Sequence, residues 1–302
     1  MTPLPIVAVV GATASGKSEL ALGLAERLGG EVVNTDAMQV YRGMDIGTAK
    51  LPVGERRGIR HHLLDLLEVT EPATVAEFQG WAREVIADCR SRGVVPVLVG
   101  GSALYTRAIL DVFEFPGTDP ELRAKYEAEL AEVGPEALHR RLAELDPASA
   151  AQIIPSNGRR IVRALEVIEL TGSYAATLPE QTYADPDTIQ IGVDIDRETL
   201  EARIARRVEH MWELGFVDEV RVLADRGLRD GLTANRALGY RQLLAFLDGE
   251  ISEAEAQEQT ITGTRRFARR QDSWFRKDPR ITWIAYDDPE RLEKALAVVE
   301  GS

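Results

Sequence analysis

One stretch near the start of the chain limits the folds that this sequence can adopt. Residues 11–18 read Gly-Ala-Thr-Ala-Ser-Gly-Lys-Ser, which matches the pattern G-x-x-x-x-G-K-S/T. The pattern follows a continuous apolar run at residues 6–10 and precedes leucines at positions 20, 24 and 28. The apolar run is typical of a buried parallel strand, and leucines spaced by four are typical of one helix face. The sequence therefore predicts a strand, a phosphate-binding loop and a helix in direct succession.

The glycines and the lysine of this loop have direct physical roles. Glycines let backbone N–H groups face an anion, and the N-terminus of the following helix adds positive potential. Lys17 supplies a charged donor to terminal phosphates, and the hydroxyl of Ser18 is placed to bind Mg²⁺. The residues predicted to hold a di- or triphosphate are Gly11, Ala12, Thr13, Ala14, Ser15, Gly16, Lys17 and Ser18.

Strand-like and helical segments continue to alternate after this loop. A second strand is predicted at residues 31–34, a helix near 75–91 and another buried strand at 94–99. Strand, helix, strand, helix, strand is the pattern of a doubly wound α/β sheet.

The pattern changes in the middle of the chain. A turn cluster at residues 116–120 leads into a purely helical pattern that lasts to about residue 171. A strand-like run at 189–195 then returns, and only long helices are expected after it. We therefore predict an α/β core of the P-loop NTPase type, with a parallel sheet flanked by helices and an all-helical insertion. The core is assigned to residues 1–112 and 188–302, and the insertion to residues 113–187.

Charge is unevenly distributed along the chain. Lys and Arg number 36 against 49 Asp and Glu, so the net charge is −13. An acidic total of this size argues against general binding to DNA or to membranes. Residues 261–280 nevertheless hold seven basic and two acidic side chains, which could line a groove for a polyanion.

Cysteine usage and hydropathy indicate the compartment. Cys89 is the only cysteine, which excludes an internal disulfide and a cysteine-based zinc site and favours a reducing environment. Apolar runs in the sequence are shorter than the roughly 18 to 20 residues of a membrane span. These observations predict a cytoplasmic protein.

The residues alone leave more than one function open. A motor or switch NTPase needs an aspartate at the end of an apolar strand, but the strand at 94–99 ends in Gly-Gly-Ser. Asp36 follows the second strand, at the sheet edge where ligands bind, and could accept a proton there, as in a small-molecule or nucleoside kinase. It could also be a simple turn former, in an RNA-binding protein that is gated by ATP and transfers no group.

Several further stretches carry a family resemblance. They are Asp36 to Lys50, His61-His62-Leu63-Leu64-Asp65, Gly100 to Tyr105, Arg159 to Glu166, Arg203 to Arg207, Arg236 to Gln242 and Arg265 to Trp274. With these stretches in this order, the chain resembles the bacterial tRNA dimethylallyltransferases from about residue 5 to about residue 285. The block from Asp36 to Lys50 is far more specific to that family than the phosphate-binding loop.

The resemblance implies a reaction. Dimethylallyl diphosphate donates its C5 group to N6 of adenosine 37, the nucleotide 3′ of the tRNA anticodon, and diphosphate leaves. Asp36 would take the amine proton, Ser102 would orient the adenine or the carboxylate, and Lys17 would stabilise the leaving diphosphate. Arg203 would also contact the diphosphate, and Mg²⁺ would be the cofactor. The partners implied are the anticodon stem-loop and dimethylallyl diphosphate, with the enzyme acting as a monomer.

The resemblance also implies a set of tRNA contacts. The residues concerned are Asp36, Ala37, Met38, Gln39, Ser102, Arg123, Arg159, Arg160, Arg163, Arg236, Arg241, Arg265 and Arg269. Because tRNA would be repelled by a chain of net charge −13, we predict that arginines of the insertion and of the C-terminal half converge around the phosphate-binding cleft. The helical insertion is thus expected to contact tRNA.

The sequence departs from the family pattern in four places. Ser102 stands where the family favours Thr, and Ala37 where it favours Ser, so one expected hydrogen bond is in question. Arg60 replaces the usual proline before the two histidines, and Ser156-Asn157-Gly158 replaces Asn-Asp-Pro. None of these changes touches Asp36 or the phosphate-binding loop.

Overall fold

The computed structural model describes residues 4–174 and 178–301. Within them the strands are β1 (Ile6–Val10), β2 (Gly30–Asn34), β3 (His61–His62), β4 (Val95–Gly100), β5 (Thr188–Asp194) and β6 (Ile281–Ala285). The helices are α1 (Lys17–Leu28), α2 (Val75–Ser91), α3 (Ala103–Leu110), α4 (Pro120–Val133), α5 (Pro135–Leu145), α6 (Pro147–Gln152), α7 (Gly158–Thr171), α8 (Arg197–Glu213), α9 (Phe216–Asp225), α10 (Tyr240–Leu247), α11 (Glu253–Phe275) and α12 (Arg291–Glu300). None of the helices described is both long and apolar enough to cross a membrane.

The strands form one parallel sheet in the order β3-β2-β4-β1-β5-β6. β1 is buried on both faces because its alternate side chains belong to different clusters, Ala8 and Val10 to one and Val7 and Val9 to the other. The chain crosses from β1 over β4 to reach β2, so a crevice opens between the carboxyl ends of β1 and β4. Open α/β sheets bind their ligands in such a crevice. The predicted parallel sheet flanked by helices is confirmed.

Two compact units make up the chain. The core unit runs to Asp111 and resumes at Tyr183, and the helical unit is Val112–Thr182. The helical unit contains α4 to α7, whose buried side chains include Tyr126, Leu142 and Ile161. Residues 183–187 lie in the core unit and not in the helical one, where the sequence analysis placed them, because Tyr183 bridges to Asp111.

Two strands were not expected from the sequence. β6 follows α11 and pairs with β5 at one edge of the sheet, so the expectation of helices alone after residue 195 was wrong. β6 is only five residues long and half-exposed, which gives it a weak apolar signal. β3 is two histidines at the opposite edge, held by their pairing with Val32 and Val33 of β2. Both edge strands depend on a neighbouring strand more than on their own composition.

A buried ion-pair network lies where the two segments of the core unit meet. Asp111 is fully buried and accepts hydrogen bonds from Arg107 Nε and from Arg280 Nη1, each at 2.8 Å. Arg280 also donates through Nε to Asp278 at 2.8 Å, and its guanidinium lies 3.9 Å from the centre of the Tyr183 ring. Although burial raises the pKa of Asp278, its hydrogen bonds with Arg280 lower that pKa below the usual value. Arg280 therefore joins both carboxylates to Tyr183.

We expect Arg280→Met to lower the free energy of unfolding by about 3 kcal/mol or more, because it removes the guanidinium that pairs with the buried carboxylates of Asp111 and Asp278. Urea denaturation of the full chain measures the change. Arg221→Met is the matched control, since Arg221 pairs with Asp218 on the exposed surface and should matter little. Similar losses for the two variants would contradict the role given to Arg280.

Candidate active site

The loop between β1 and α1 lies at the carboxyl edge of the sheet. Gly11, Ala14 and Gly16 have φ of 145°, 65° and 99°. Glycine adopts this backbone region without strain, whereas alanine does so at a cost, and such strain is typical of functional loops. Lys17 Nζ donates to the carbonyl of Ala12 at 3.2 Å. The buried hydroxyl of Ser15 has no hydrogen-bond partner among the described residues, which makes the loop suited to a polar ligand.

Cationic side chains from distant parts of the chain surround this loop. Arg203 Nη1 lies 3.4 Å and 3.3 Å from the carbonyl oxygens of Ala14 and Ser15. Arg207 Nη1 lies 3.4 Å from the hydroxyl oxygen of Thr13. A Cβ atom on Gly16 would lie 3.8 Å from Nη1 of both Arg203 and Arg291.

Of these arginines, only Arg203 was predicted from the sequence to lie at the site. Arg207 could have been found, since it lies four residues beyond Arg203 and so shares a face of α8. Arg291 at the start of α12 has no such local signal.

Lys17 carries a perturbed pKa. Burial, helped by the charge of Arg207, lowers the pKa of Lys17 to about 8, and the nearby carboxylate of Asp36 opposes the shift. A bound diphosphate would favour the charged ammonium in the same way as a carboxylate. The lysine is therefore suited to hold an anion that arrives in this loop.

Asp36 lies just beyond β2 and is held by hydrogen bonds. Its Oδ1 accepts the backbone N–H of Met38 at 2.9 Å. The side chain of Asn34 accepts the N–H of Asp36 at 2.8 Å and donates to the Asp36 carbonyl at 3.0 Å. Burial raises the pKa of the Asp36 carboxyl, while the N–H of Met38 and the charge of Lys17 oppose that rise. A carboxylate with a raised pKa is a better proton acceptor than an ordinary aspartate.

Ser102 lies beside the Asp36 loop at the carboxyl end of β4. Its Oγ is 3.4 Å from the backbone N–H of Ala37, so the serine can accept a bond from that amide. A Cβ atom on Gly100 would lie 2.1 Å from Thr35 Oγ1, so a glycine is required where β4 passes the Asp36 loop. Ala37 itself has no hydroxyl, and the two loops are joined here through its backbone.

Gln271 joins the two sides of the crevice, a role that was not predicted from the sequence. Its Oε1 accepts the N–H of Thr13 at 2.9 Å, and its Nε2 donates to the carbonyl of Gly101 at 2.8 Å. One buried amide thus connects the phosphate-binding loop with the loop of Ser102. In the sequence, Gln271 lies between Arg270 and Asp272 and resembles part of a solvated helix face.

These loops open into a cavity of about 580 Å³. Thr13 of the phosphate-binding loop, Asp36 and Ser102 line it together. Its apolar lining includes Ile204, Val208, Met211 and Leu238, and its basic lining consists of Arg207, Arg236, Arg241, Arg266 and Arg270. The cavity therefore combines a carboxylate, cations and a hydrocarbon surface.

A second cavity of about 560 Å³ shares Ser102, Arg266, Phe267 and Arg270 with the first. Tyr105, Arg269 and Trp274 also line it. Aromatic rings beside guanidinium groups are typical of surfaces that bind unpaired bases and phosphates.

Some of the other predicted tRNA contacts of the core unit line the first cavity, and others bond to neighbouring residues. Met38 and Ala37 line the first cavity, and Arg236 and Arg241 are exposed at its lining. Gln39 lies just beyond and donates through Nε2 to the carbonyl of Thr48 at 3.0 Å. Arg265 Nη2 lies 3.5 Å from the carbonyl oxygen of Glu201, and Arg269 Nη1 lies 3.5 Å from its carboxylate oxygen Oε1.

In the helical unit, two of the predicted arginines hold a buried carboxylate. Glu166 is fully buried and accepts hydrogen bonds from Arg123 Nη2 at 2.8 Å and from Arg163 Nη1 at 3.0 Å. Arg159 and Arg160 are exposed on the first turn of α7. The convergence of these arginines with the cleft of the core unit stays a prediction.

Three groups of metal-ligating type meet elsewhere in the core unit. Side-chain atoms of Glu31, His62 and Cys89 lie within 4.8 Å of one another. The Glu31 carboxylate is already paired with Arg92, through Nη1 at 2.8 Å and Nη2 at 2.7 Å. Burial raises the pKa of the Cys89 thiol to about 11, so it stays protonated at neutral pH. We interpret this cluster as an ion-pair network.

Comparison with known proteins assigns the family. The family model described as IPP transferase matches residues 39–278, most of the chain. The chain belongs to this family. It is 67% identical over 299 residues to the tRNA dimethylallyltransferase of Nocardioides sp. (strain ATCC BAA-499 / JS614). The aligned region covers 99% of this chain and 96% of that protein. The resemblance stated from the sequence is therefore confirmed.

Solved structures of the family share the fold. The tRNA isopentenylpyrophosphate transferase of Bacillus halodurans is 40% identical, with a TM-score of 0.72 over 98% of this chain and 95% of its own. A eukaryotic dimethylallyltransferase solved while acting on tRNA is 26% identical, with a TM-score of 0.81 over 97% of this chain and 77% of its own. The P-loop NTPase-like core predicted from the sequence is confirmed.

Proposed function

We propose that this chain transfers a dimethylallyl group from dimethylallyl diphosphate to tRNA, at N6 of adenosine 37, and releases diphosphate. The observation that best supports this is the single cavity that joins Asp36, the phosphate-binding loop and an apolar surface. An amine acceptor, a diphosphate and a C5 hydrocarbon chain require those three kinds of group. The curated relative named tRNA dimethylallyltransferase supports tRNA as the acceptor.

Asp36 is the proposed general base. The N6 amine attacks C1 of the donor, the C1–O bond breaks, and the amine proton passes to the Asp36 carboxylate. The raised pKa of Asp36 makes the carboxylate a stronger proton acceptor. Ser102 would orient the adenine or the carboxylate, and its hydroxyl replaces the threonine hydroxyl usual in the family.

Lys17 and the arginines around the loop are the proposed diphosphate site. As the C1–O bond breaks, negative charge grows on the departing diphosphate, and fixed cations stabilise it. Arg203 and Arg207 reach this loop from α8. The oxygen-donor chemistry of the loop also fits Mg²⁺, which Ser18, exposed on the first turn of α1, would hold. The ion would supply further neutralisation of the diphosphate charge.

The adenine must leave the anticodon-loop stack to reach Asp36, at a cost of a few kcal/mol. Contacts with the rest of the loop must offset this cost. Arg236 and Arg241 line the first cavity, and Arg269 and Trp274 line the second, where they could contact phosphates and bases of the anticodon loop. Arg159 and Arg160 of the helical unit are proposed as additional tRNA contacts.

Nucleoside analysis tests this function. Unmodified tRNA is incubated with the enzyme and dimethylallyl diphosphate, then digested and analysed by mass spectrometry. We expect an adenosine that has gained C5H8, and no gain in a transcript with guanosine in place of adenosine 37. A gain at another nucleoside would contradict the acceptor, and no gain in any tRNA would contradict the function.

Arg241→Gln is expected to flatten the salt dependence of tRNA binding. Each phosphate contact that is lost should lower the slope of log K against log salt by about 0.7 to 0.9. Filter binding between 50 and 200 mM salt, roughly the range where such slopes are resolved, measures it. Arg221→Gln is the control, because Arg221 lies outside both cavities and pairs with Asp218. An unchanged slope for Arg241→Gln would remove this residue from the tRNA surface.

A further inference from the structure

One wall of the active-site cavity is a segment without regular secondary structure. Gly47, Thr48 and Ala49 line the cavity together with Asp36 and Met38. Ala49 has φ of 52°, a backbone conformation that an alanine adopts only when its surroundings hold it. The shape of this wall must therefore be imposed by other residues.

Glu219 on α9 is the main anchor of the wall. Its Oε2 accepts the N–H groups of Asp45 at 3.0 Å and of Ile46 at 2.7 Å. Its Oε1 accepts the N–H of Gly47 at 3.2 Å and the hydroxyl of Tyr240 at 2.6 Å. One carboxylate thus binds three successive backbone amides, and bonds to an ionised acceptor are about twice as strong as neutral ones.

Close packing also fixes the same segment. A Cβ atom on Gly47 would lie 2.2 Å from Cε2 of Phe216 and 2.5 Å from Cε2 of Tyr240. At one end of the segment, the buried ammonium of Lys50 donates to Asp45 Oδ1 at 2.7 Å. The segment also bonds within itself, from the N–H of Ala49 to the carbonyl of Ile46 at 3.0 Å, but the amides of Ile46 and Gly47 at its centre are bound by Glu219.

The anchored segment in turn holds a predicted tRNA contact. Gln39 donates through Nε2 to the carbonyl of Thr48, the residue after the last amide that Glu219 binds. A movement of the segment would therefore move the carbonyl that fixes the Gln39 amide. Glu219 itself is not among the residues that line the cavity.

We propose that Glu219 is a positioning residue for tRNA: it sets the cavity wall at 45–49 and, through Thr48, the orientation of Gln39. This proposal rests on the proposed function, because it assigns Gln39 to the tRNA. It predicts a selective effect, since Lys17 and the phosphate-binding loop make no contact with the anchored segment among the hydrogen bonds described. The donor site should remain intact when Glu219 is changed.

The test is Glu219→Gln, measured with each substrate varied in turn. The glutamine is isosteric, but its NH₂ group would face N–H donors. We expect KM for tRNA to rise about tenfold, the factor that corresponds to one well-made hydrogen bond, with KM for dimethylallyl diphosphate changed less than about twofold. A general loss of stability would instead lower kcat through the fraction of active enzyme and leave both KM values unchanged.

Two controls make the result specific. Asp218→Asn changes the neighbouring carboxylate of α9, which pairs with Arg221 on the exposed surface, so both KM values should stay near wild type. In a Gln39→Ala background, Glu219→Gln should raise KM for tRNA less than about twofold further, because coupled residues are not additive. If Glu219→Gln does not fold, Glu219→Asp takes its place in the same cycle and should give a smaller rise in the same KM.

The outcomes separate the two proposals. A wild-type enzyme that transfers no dimethylallyl group to tRNA would overturn the proposed function. A wild-type enzyme that does transfer it, with equal changes in the two KM values or with additive effects of Glu219 and Gln39, would overturn the role of Glu219 alone.

Discussion

Asp36→Asn is expected to lower kcat by about 10²-fold or more, because the variant has no proton acceptor for the attacking amine. The asparagine keeps an oxygen that can accept the N–H of Met38, now 2.9 Å from Asp36 Oδ1, so the loop geometry should persist. The affinity for tRNA should change little. Single-turnover kinetics with excess enzyme measure the transfer step directly.

The pH profile provides a second test of Asp36. Burial raises the pKa of Asp36 above its usual 3.8, so the carboxylate takes up a proton at a higher pH than an ordinary aspartate does. Since only the ionised form accepts the amine proton, wild-type activity should fall on acidification through that raised pKa. Asp36→Asn should lack this acid limb. A variant rate near wild type would mean that the proton leaves to water and that Asp36 only positions the substrate.

Lys17→Met is expected to lower kcat/KM for dimethylallyl diphosphate by about 10²- to 10³-fold, the usual loss when one preorganised donor to developing charge is removed. Binding of tRNA alone should be nearly intact, because the change is confined to the phosphate-binding loop. Lys17→Arg keeps the charge and should lose less activity. Equal losses of affinity for both substrates would argue against a diphosphate-specific role.

The pKa of Lys17, lowered to about 8, gives this prediction a pH dependence. The free enzyme loses the ammonium charge as the pH rises through that value, so kcat/KM for the diphosphate should fall above about pH 8. Bound diphosphate restores the charge, so kcat itself should fall only at higher pH. In Lys17→Met, the alkaline fall of kcat/KM should be absent. An unchanged alkaline limb would assign it to another group.

Local sequence signals predicted the parts of the site that one segment builds. The apolar strand, the glycine pattern and the leucines of α1 lie side by side in the chain, so the phosphate-binding loop could be placed from composition and spacing. Asp36 was found in the same way, from its position after a strand. Composition showed the basic stretch at 261–280, and the family resemblance added the roles of its arginines, of the other arginines and of Ser102.

Contacts between distant segments account for what was missed. Gln271 and Glu219 are polar residues on helices and look solvent-facing in the sequence, yet each binds backbone groups of a loop far away in the chain. Arg123 forms an ion pair with buried Glu166, a partner 43 residues away that only packing reveals, and its assignment to tRNA stays a prediction. β6 was missed because an edge strand is stabilised mainly by its neighbour.

The central claim is that the phosphate-binding loop holds a leaving diphosphate and transfers no phosphoryl group. Two samples of dimethylallyl diphosphate test it most directly, one labelled with ¹⁴C in the dimethylallyl group and one with ³²P in the diphosphate. With unmodified tRNA and no ATP, ¹⁴C should enter the RNA while all ³²P is released as diphosphate. Entry of ³²P into the RNA or another acceptor, or a requirement for stoichiometric ATP, would contradict the account and favour a kinase.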